Sequence, residues 1–144
     1  MPFIIPISPR EARALLRIPL MSCSVSAGFP NPADDYIEQD LDLNLFLIQH
    51  PSATYFCRAS GHSMIGLGIL DRCLLIVDRA VTAVQGSIVI AAIDGELTCK
   101  VFDKNNRRLL SGNDDYPPIP IPEESDFQTE GVIIHAINSY DNPR

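Results

Sequence analysis

The chain contains no tryptophan and, for a protein of 144 residues, few basic side chains. Eleven Lys and Arg residues stand against eighteen Asp and Glu residues, which gives a net charge of −7 at pH 7. This balance disfavours direct, sequence-specific DNA binding through the phosphate backbone and favours a protein that meets other proteins. A hydrophobic content of 46% in a chain of this length is enough for one domain with its own core.

Cysteine is spaced too widely for the usual metal or disulfide frameworks. No Cys-x-x-Cys pair and no matching histidine pair accompanies the four cysteines, which are Cys23, Cys57, Cys73 and Cys99. The acidic pairs Asp114-Asp115 and Glu123-Glu124 also lack the spacing of a metal-binding loop. We therefore expect neither a metal ion nor a cofactor.

Long hydrophobic runs are absent as well. The longest apolar stretches, such as residues 88–93, have the length of a strand. The N-terminus lacks a positive region followed by a sustained apolar run, which a secretory signal would need. The sequence predicts a cytoplasmic protein without a membrane anchor.

Proline is concentrated in the first 33 residues, where six prolines interrupt any helix or central strand. We predict that residues 1–27 form an extended N-terminal arm and that residues 28–144 form the body. At their junction, residues 22–28 read Ser-Cys-Ser-Val-Ser-Ala-Gly. Side chains this small allow an extended segment to enter a narrow cleft, as the substrates of proteases do.

The body is predicted to be mainly β, a curled antiparallel sheet assembly with one or two short helices. Asp42 is a suitable N-cap for a helix over residues 43–50, which Pro51 ends. Asp94-Gly95 is typical of a tight hairpin. From residue 54 onward, short runs rich in Val, Ile, Phe and Tyr predict strands over 55–59, 74–78, 87–93, 97–102, 108–110 and 131–138.

Two residues of the body can carry chemistry together. Ser63 follows a strand in the run Ser60-Gly61-His62-Ser63-Met64, where the glycine permits a turn that presents the hydroxyl. Lys100 lies on the strand after the hairpin. Its amine can take a serine proton only if burial lowers its pKa from about 10.4 towards 7. Spacing alone leaves an ordinary surface charge as the default for Lys100.

Four blocks of sequence occur together and in order. They are Ala27-Gly28-Phe29-Pro30 with Pro32-Ala33 and Tyr36, residues 42–56 from Asp-Leu-Asn to Ala-Thr-Tyr-Phe, Ala59-Ser60-Gly61-His62-Ser63-Met64, and Asp94-Gly95-Glu96-Leu97-Thr98-Cys99-Lys100. In combination they resemble the LexA/UmuD family of self-processing SOS-response proteins, and most closely its UmuD and MucA branch. Weaker similarity continues to about residue 137.

The resemblance implies a site and a reaction. It places a catalytic nucleophile at Ser63, a general base at Lys100, a scissile bond at Ala27–Gly28, and oxyanion-stabilising backbone N–H groups at His62 and Ser63. The implied fold is a β-rich catalytic domain of the LexA and signal-peptidase type, usually a homodimer. Sequence does not decide whether a chain cuts itself or its partner.

The resemblance also implies partners. A RecA filament on single-stranded DNA would stimulate the cleavage. The shortened product, residues 28–144, would then join a UmuC-like Y-family polymerase in error-prone translesion synthesis.

The sequence departs from the family pattern near the serine. Asp71-Arg72-Cys73 stands where the family has Asp-Gly-Asp, which puts the geometry of that turn in question. His62 replaces an aspartate of UmuD, but we do not assign it as a base, because adjacent residues of an extended segment point in opposite directions. For His50 and His135 we expect structural roles.

Three other functions share some of these features. A LexA-like repressor would need a helix-turn-helix domain ahead of the cut, which 27 proline-punctuated residues do not supply. A signal-peptidase-like enzyme that cuts other chains would be expected to carry a membrane anchor. A catalytically idle binding module would keep its arm, and Ser63 would then be a relic.

Overall fold

The computed structural model describes residues 5–6, 17–21, 25–28 and 37–140. Contacts divide the chain into a larger unit of residues 1–7 and 50–144 and a smaller unit of residues 8–49. Much of the predicted arm, including Cys23, lies outside the described residues, and so do the family-like positions 29–36 of the predicted body. In the described part of the chain, no helix has the length and apolar content needed to cross a membrane.

Strands dominate the described residues. In chain order they are β1 (Ile5–Pro6), β2 (Arg17–Met21), β3 (Ile37–Asp42), β4 (Thr54–Arg58), β5 (Leu74–Asp78), β6 (Ile88–Ile93), β7 (Glu96–Asp103), β8 (Arg108–Leu110), β9 (Ile119–Pro120) and β10 (Phe127–Ile137). One α-helix, α1 (Leu43–Leu47), and two 3-10 turns, Pro51–Ala53 and Ile65–Leu67, complete the set. The prediction of a mainly β protein is confirmed.

The larger unit contains an eight-stranded sheet in the order β1-β4-β5-β10-β6-β7-β8-β9. Every pair of neighbouring strands that the structure describes is antiparallel, as predicted. The strands β1 and β9 form the two edges. Both contain a proline, which a sheet tolerates at its edges because the missing N–H costs no ladder hydrogen bond there.

The sheet buries apolar side chains on both faces, because residues along a strand alternate in direction. On β6, Ile90 belongs to one cluster while Val89 and Ala91 belong to the other. The first cluster comprises Tyr55, Cys57, Met64, Ile69, Cys73, Leu75, Val77 and Ile90. The second comprises Val89, Ala91, Leu109, Ile121 and Val132. The three cysteines of the described residues are free thiols, not disulfides.

The predicted hairpin joins β6 to β7. Ile93 pairs with Glu96 across the two turn residues. Asp94 has φ +48° and Gly95 has φ +86°, the left-handed pair that a type I′ turn requires. This turn sets the register in which Val89 pairs with Lys100, so Lys100 is fixed on a strand bonded on both sides, to β6 and β8.

Strand β10 is longer than predicted and irregular. It begins at Phe127, four residues before the predicted start, and its register with β6 shifts between Thr129 and Val132. Gly131 lies within this shift at φ +140°, and a Cβ there would stand 2.5 Å from a methyl carbon of Val77. Only glycine both adopts this φ readily and leaves room for the Val77 side chain. The sequence pattern had instead predicted that the strand starts at Gly131.

The smaller unit contains the antiparallel pair β2–β3 and helix α1. Asp42 caps α1 as predicted, since its Oδ1 accepts a hydrogen bond of 2.9 Å from the Asn44 N–H. The helix ends at Leu47 instead of the predicted His50, because Ile48 is already extended. Strands β2 and β3 were not predicted, and β2 contains Pro19.

The last residue of β7, three positions after Lys100, is a buried carboxylate. Asp103 is 3% exposed and accepts hydrogen bonds from the side chains of Arg108, Asn106 and Gln85, at 2.7 to 3.2 Å. These bonds, the one from Arg108 first, lower the pKa of Asp103 from 3.8 to about 2. The cluster ties the β7–β8 turn to the loop before β6.

Asp103→Asn is expected to lower the free energy of unfolding at neutral pH, because the folded state stabilises this carboxylate in its charged form. A depressed pKa contributes stability above about 3.8 and loses it as the pH falls towards about 2. Urea unfolding at about pH 7 and about pH 2.5 should therefore show a difference from wild type that shrinks on acidification. The exposed Asp114→Asn serves as the control, and an equal gap at both pH values would contradict this account.

Candidate active site

Ser63 lies in a tight turn directly after β4. Gly61 adopts φ +94°, a conformation that favours glycine, and its N–H donates a hydrogen bond of 2.8 Å to Oδ1 of Asp71. Met64, the next residue after Ser63, is 3% exposed and anchors the turn in the first core cluster. The Ser63 side chain is left half-buried at the surface of that core.

The departure at Asp71-Arg72-Cys73 does not open this turn. Arg72 takes the left-handed conformation that a glycine would take more easily, with φ +71°. For a residue with a side chain this costs on the order of 1 kcal/mol. The turn still closes through hydrogen bonds from the Arg72 N–H to the Ala59 carbonyl (2.9 Å) and from the Ala59 N–H to the Cys73 carbonyl (3.0 Å). Asp71 keeps its bond to Gly61, and the Cys73 side chain is buried in the core.

A second loop, residues 111–116, holds the serine turn from the other side. The Gly112 N–H donates to the Ser63 carbonyl (2.8 Å), and the Asn113 amide donates to the His62 carbonyl (3.0 Å). The Gly66 N–H donates to the Gly112 carbonyl (2.6 Å), and a Cβ on Gly66 would stand 2.2 Å from that oxygen. The sequence analysis did not predict the role of this loop. Gly66 and Gly112 were the available signal for it.

The structure brings Ser63 and Lys100 together. The Lys100 amine donates a hydrogen bond to the Ser63 hydroxyl with an Nζ–Oγ distance of 2.6 Å. Lys100 is only 6% exposed. Burial lowers the pKa of its amine below the ordinary 10.5 and outweighs the neighbouring Cys99, which acts in the opposite direction. This is the direction that general-base chemistry needs.

No anion offsets this burial. Within the described ranges, no carboxylate lies at ion-pair distance from the Lys100 amine. Burial raises the pKa of the Cys99 thiol to about 12, so this neighbour stays neutral at pH 7. The Tyr116 ring, at the end of the 111–116 loop, has its centroid 5.6 Å from Lys100 Nζ. The amine is therefore enclosed by neutral groups, which favour its uncharged form.

A cavity of about 220 Å³ opens beside Ser63. Its apolar wall includes Ile69, Leu75 and Ile90 from the first core cluster. Its rim is formed by the serine turn and by Thr98 and Cys99 of β7. The cavity is large enough for small side chains of an extended peptide lying along β7.

The backbone N–H groups of His62 and Ser63 have no hydrogen-bond acceptor among the described residues. In the part of the chain that the structure describes, neither the His62 N–H nor the Ser63 N–H donates a hydrogen bond to another protein group. The carbonyls of both residues are held by the 111–116 loop. Fixed, unengaged N–H groups next to a nucleophile are what an oxyanion hole requires.

The remaining predicted residues lie elsewhere. Ala27 and Gly28 are exposed residues of the smaller unit, where the Gly28 N–H donates to the Ser26 hydroxyl at 3.2 Å. The proposed scissile bond therefore belongs to the smaller unit, whereas Ser63 and Lys100 belong to the larger unit. The His62 side chain is exposed, and His50 contacts the buried Asp78 through an Nδ1–Oδ2 distance of 2.6 Å. His135 lies in β10, as expected.

Comparison with known proteins identifies the class. Residues 19–134 match the family described as Peptidase S24-like. Because this match spans most of the sequence, the chain belongs to the Peptidase S24-like family, a family of serine proteases. The family resemblance predicted from the sequence blocks is confirmed.

Individual relatives place the chain in the UmuD-like branch of that family. Protein ImpA of Salmonella typhimurium is 44% identical over 120 residues, which cover 83% of each chain. Protein SamA of Salmonella typhimurium strain LT2 is 42% identical over 139 residues, 94% of this chain and 97% of SamA. Protein MucA of Escherichia coli is 43% identical over 122 residues, 83% of this chain and 84% of MucA. A LexA repressor from Colwellia psychrerythraea is 35% identical, over 56% of its own length.

Tyr116→Ala is expected to raise the pKa of the Lys100 amine towards 10.5. Removal of the ring admits water to the amine, and the gain in hydration outweighs the loss of a cation–π contact near the outer limit of its range. The chain has only two lysines, Lys100 and Lys104, so a ¹³C-lysine NMR titration resolves both. The exposed Lys104 is an internal reference.

Two variants control this titration. Tyr116→Phe keeps the ring and should leave the pKa of Lys100 unchanged. Tyr140→Ala removes a tyrosine that is 84% exposed and should also have no effect. A fall in the Lys100 pKa in Tyr116→Ala would show that the ring stabilises the ammonium form, contrary to this account.

Proposed function

We propose that this protein cuts its own backbone between Ala27 and Gly28, with Ser63 as nucleophile and Lys100 as general base. The observation that carries the proposal is the 2.6 Å contact between a buried lysine amine and a serine hydroxyl, in surroundings that lower the pKa of that amine. Membership of a serine protease family supports the same reaction.

In the first step the neutral Lys100 amine accepts the Ser63 hydroxyl proton while Oγ attacks the Ala27 carbonyl carbon. The carbonyl oxygen becomes an oxyanion, which the N–H groups of His62 and Ser63 stabilise. Each such donor contributes roughly 3–4 kcal/mol to transition-state stabilisation in well-studied serine proteases.

In the second step the Lys100 ammonium gives its proton to the Gly28 nitrogen, and the Ala27–Gly28 bond breaks. Residues 1–27 remain as an ester on Ser63. Water, deprotonated by the Lys100 amine, then attacks the ester carbonyl, and the Lys100 ammonium returns the proton to Oγ of Ser63 as the ester bond breaks. The new acid group on Ala27 ionises to a carboxylate. Small side chains before the scissile bond suit the cavity of about 220 Å³ beside Ser63.

The biological role that we propose is that of a UmuD-like protein of the SOS response. A RecA filament on single-stranded DNA stimulates the cleavage by favouring the conformation in which the scissile bond enters the cleft. The protein acts as a homodimer, and its product, residues 28–144, serves as a subunit of an error-prone Y-family translesion polymerase. Similarity to ImpA, SamA and MucA over most of the chain supports this role.

Incubation with a RecA filament is expected to yield a product that begins at Gly28, identified by intact-mass spectrometry. Ser63→Ala and Lys100→Ala should each reduce the cleavage rate by roughly 10³-fold or more, because each removes one member of a pair that acts as a unit. Circular dichroism should show both variants folded.

Matched variants separate chemistry from general perturbation. Lys104→Ala removes the other lysine of the chain, and His62→Ala keeps the backbone N–H while it removes an exposed side chain. Both should cleave at the wild-type rate. An intact wild-type chain, in an assay where MucA is cut, would contradict the proposal.

Cleavage without the filament is expected to accelerate as the pH rises from about 7 to about 10, because hydroxide deprotonates Lys100 in the absence of other help. The pKa of the Lys100 amine is lowered, so the acceleration should be centred below 10.5. Product mass followed over time at each pH gives the rate. A flat profile would mean that no titrating lysine limits the reaction.

A further inference from the structure

The first strand of the sheet lies before the proposed cut. Ile5 pairs with Phe56 and Pro6 with Tyr55, so β1 covers the outer edge of β4. On its other side, β4 pairs with β5. Without β1, the backbone N–H and C=O groups on that side of β4 would be unpaired, as at any sheet edge.

Cleavage between Ala27 and Gly28 would change how β1 is held. By its contacts β1 belongs to the larger unit, whereas Ala27 and Gly28 belong to the smaller one. After the cut, β1 has no covalent link to the body and is retained only by noncovalent contacts such as its two-residue pairing with β4. A pairing of this length supplies few hydrogen bonds, and their net contribution is small beside the freedom that a separate peptide gains on release.

We propose that the outer edge of β4 is a strand-addition site that self-cleavage opens, and that its ligand is an extended, apolar, β-branched peptide segment of a partner protein. The proposal rests on the proposed self-cleavage for its trigger. Strand addition to an exposed edge is a common mode of peptide recognition, in which the backbone supplies affinity and alternate side chains supply specificity.

The side chains of β4 define the ligand. Tyr55 and Cys57 are buried in the first core cluster, while Phe56 and Arg58 are half-buried on the opposite face. An added strand would therefore lie beside the first core cluster on one face and beside Phe56 on the other, which favours Val, Ile and Phe in the ligand. The Arg58 guanidinium is held at the end of β4 by a bond of 3.0 Å to the Arg72 carbonyl and favours an acidic residue near that end.

The chain carries its own example of such a ligand. Residues 3–7 read Phe-Ile-Ile-Pro-Ile, a β-branched apolar run. The proline within it lacks an N–H, which discourages a further strand from adding to the occupied edge. The uncut protein thus fills the site with a short strand that a longer, proline-free segment can outcompete once the cut has been made.

Hydrogen exchange tests this inference with a defined probe, a synthetic peptide of residues 1–12. Backbone amides of β4 are compared in the uncut Ser63→Ala chain, in the product of self-cleavage, and in the product with the peptide. At least one edge-facing amide of β4 should exchange about tenfold faster or more in the product than in the uncut chain, and the peptide should restore its protection. Strand β5, inside the sheet, is the internal control, and a peptide of scrambled sequence should have no effect.

A second arm tests the edge without cleavage. In the Ser63→Ala background, Ile5→Pro removes the N–H of Ile5 and should expose β4 in an uncut chain. Ser8→Pro, outside the β1 pairing, is the matched control and should leave β4 protected. Suppose that β4 becomes exposed in Ile5→Pro but the wild-type chain never cleaves. The proposed function would then be wrong, whereas the inference that β1 covers the edge of β4 would hold.

Two results would overturn the inference itself. One is a wild-type chain that cleaves normally while β4 stays equally protected before and after the cut. The other is protection of β4 in the product that rises with protein concentration and does not respond to the peptide, because the edge would then be taken by a second copy.

Discussion

The hydrogen bond between the Lys100 amine and the Ser63 hydroxyl constrains everything around it. A buried lysine that finds no carboxylate partner among the described residues destabilises the folded state while it is charged, so the site must be rigid enough to hold it in place. Strand β7 supplies that rigidity, since it is paired to β6 through the Asp94-Gly95 turn and to β8 beside the Asp103 cluster. The serine turn is held in the same way, by Asp71 on one side and the 111–116 loop on the other.

Stability and chemistry oppose each other at this site. Because burial lowers the pKa of Lys100 in the folded state, the charged amine reduces the stability of the fold. The cost is present below the folded pKa and disappears as the pH rises to 10.5. Under the proposed self-cleavage each chain would react only once, and of the strands in the eight-stranded sheet the reaction would release only β1.

Much of this could be predicted from the sequence, for identifiable reasons. Strands of the body follow from runs of β-branched residues, and the hairpin that positions Lys100 follows from Asp94-Gly95, because these signals are local. The pair itself came from family resemblance, since 37 residues separate Ser63 from Lys100 and no local pattern joins them. The strands β1, β2 and β9 contain prolines and were missed, because proline excludes central strands but not edges. The 111–116 loop was missed because its bonds to the serine turn join residues that lie far apart in the sequence.

The central claim is that the amine of Lys100, whose pKa is lowered by burial, takes the proton of Ser63. The measurement that tests it most directly compares two midpoints. One is the pKa of Lys100, measured by ¹³C-lysine NMR in the Ser63→Ala chain, which stays whole. The other is the midpoint of the pH–rate profile for release of residues 28–144 from the wild-type chain. The account predicts that the two coincide below 10.5 and shift together in Tyr116→Ala. Midpoints that differ, or that move independently in this variant, would contradict it.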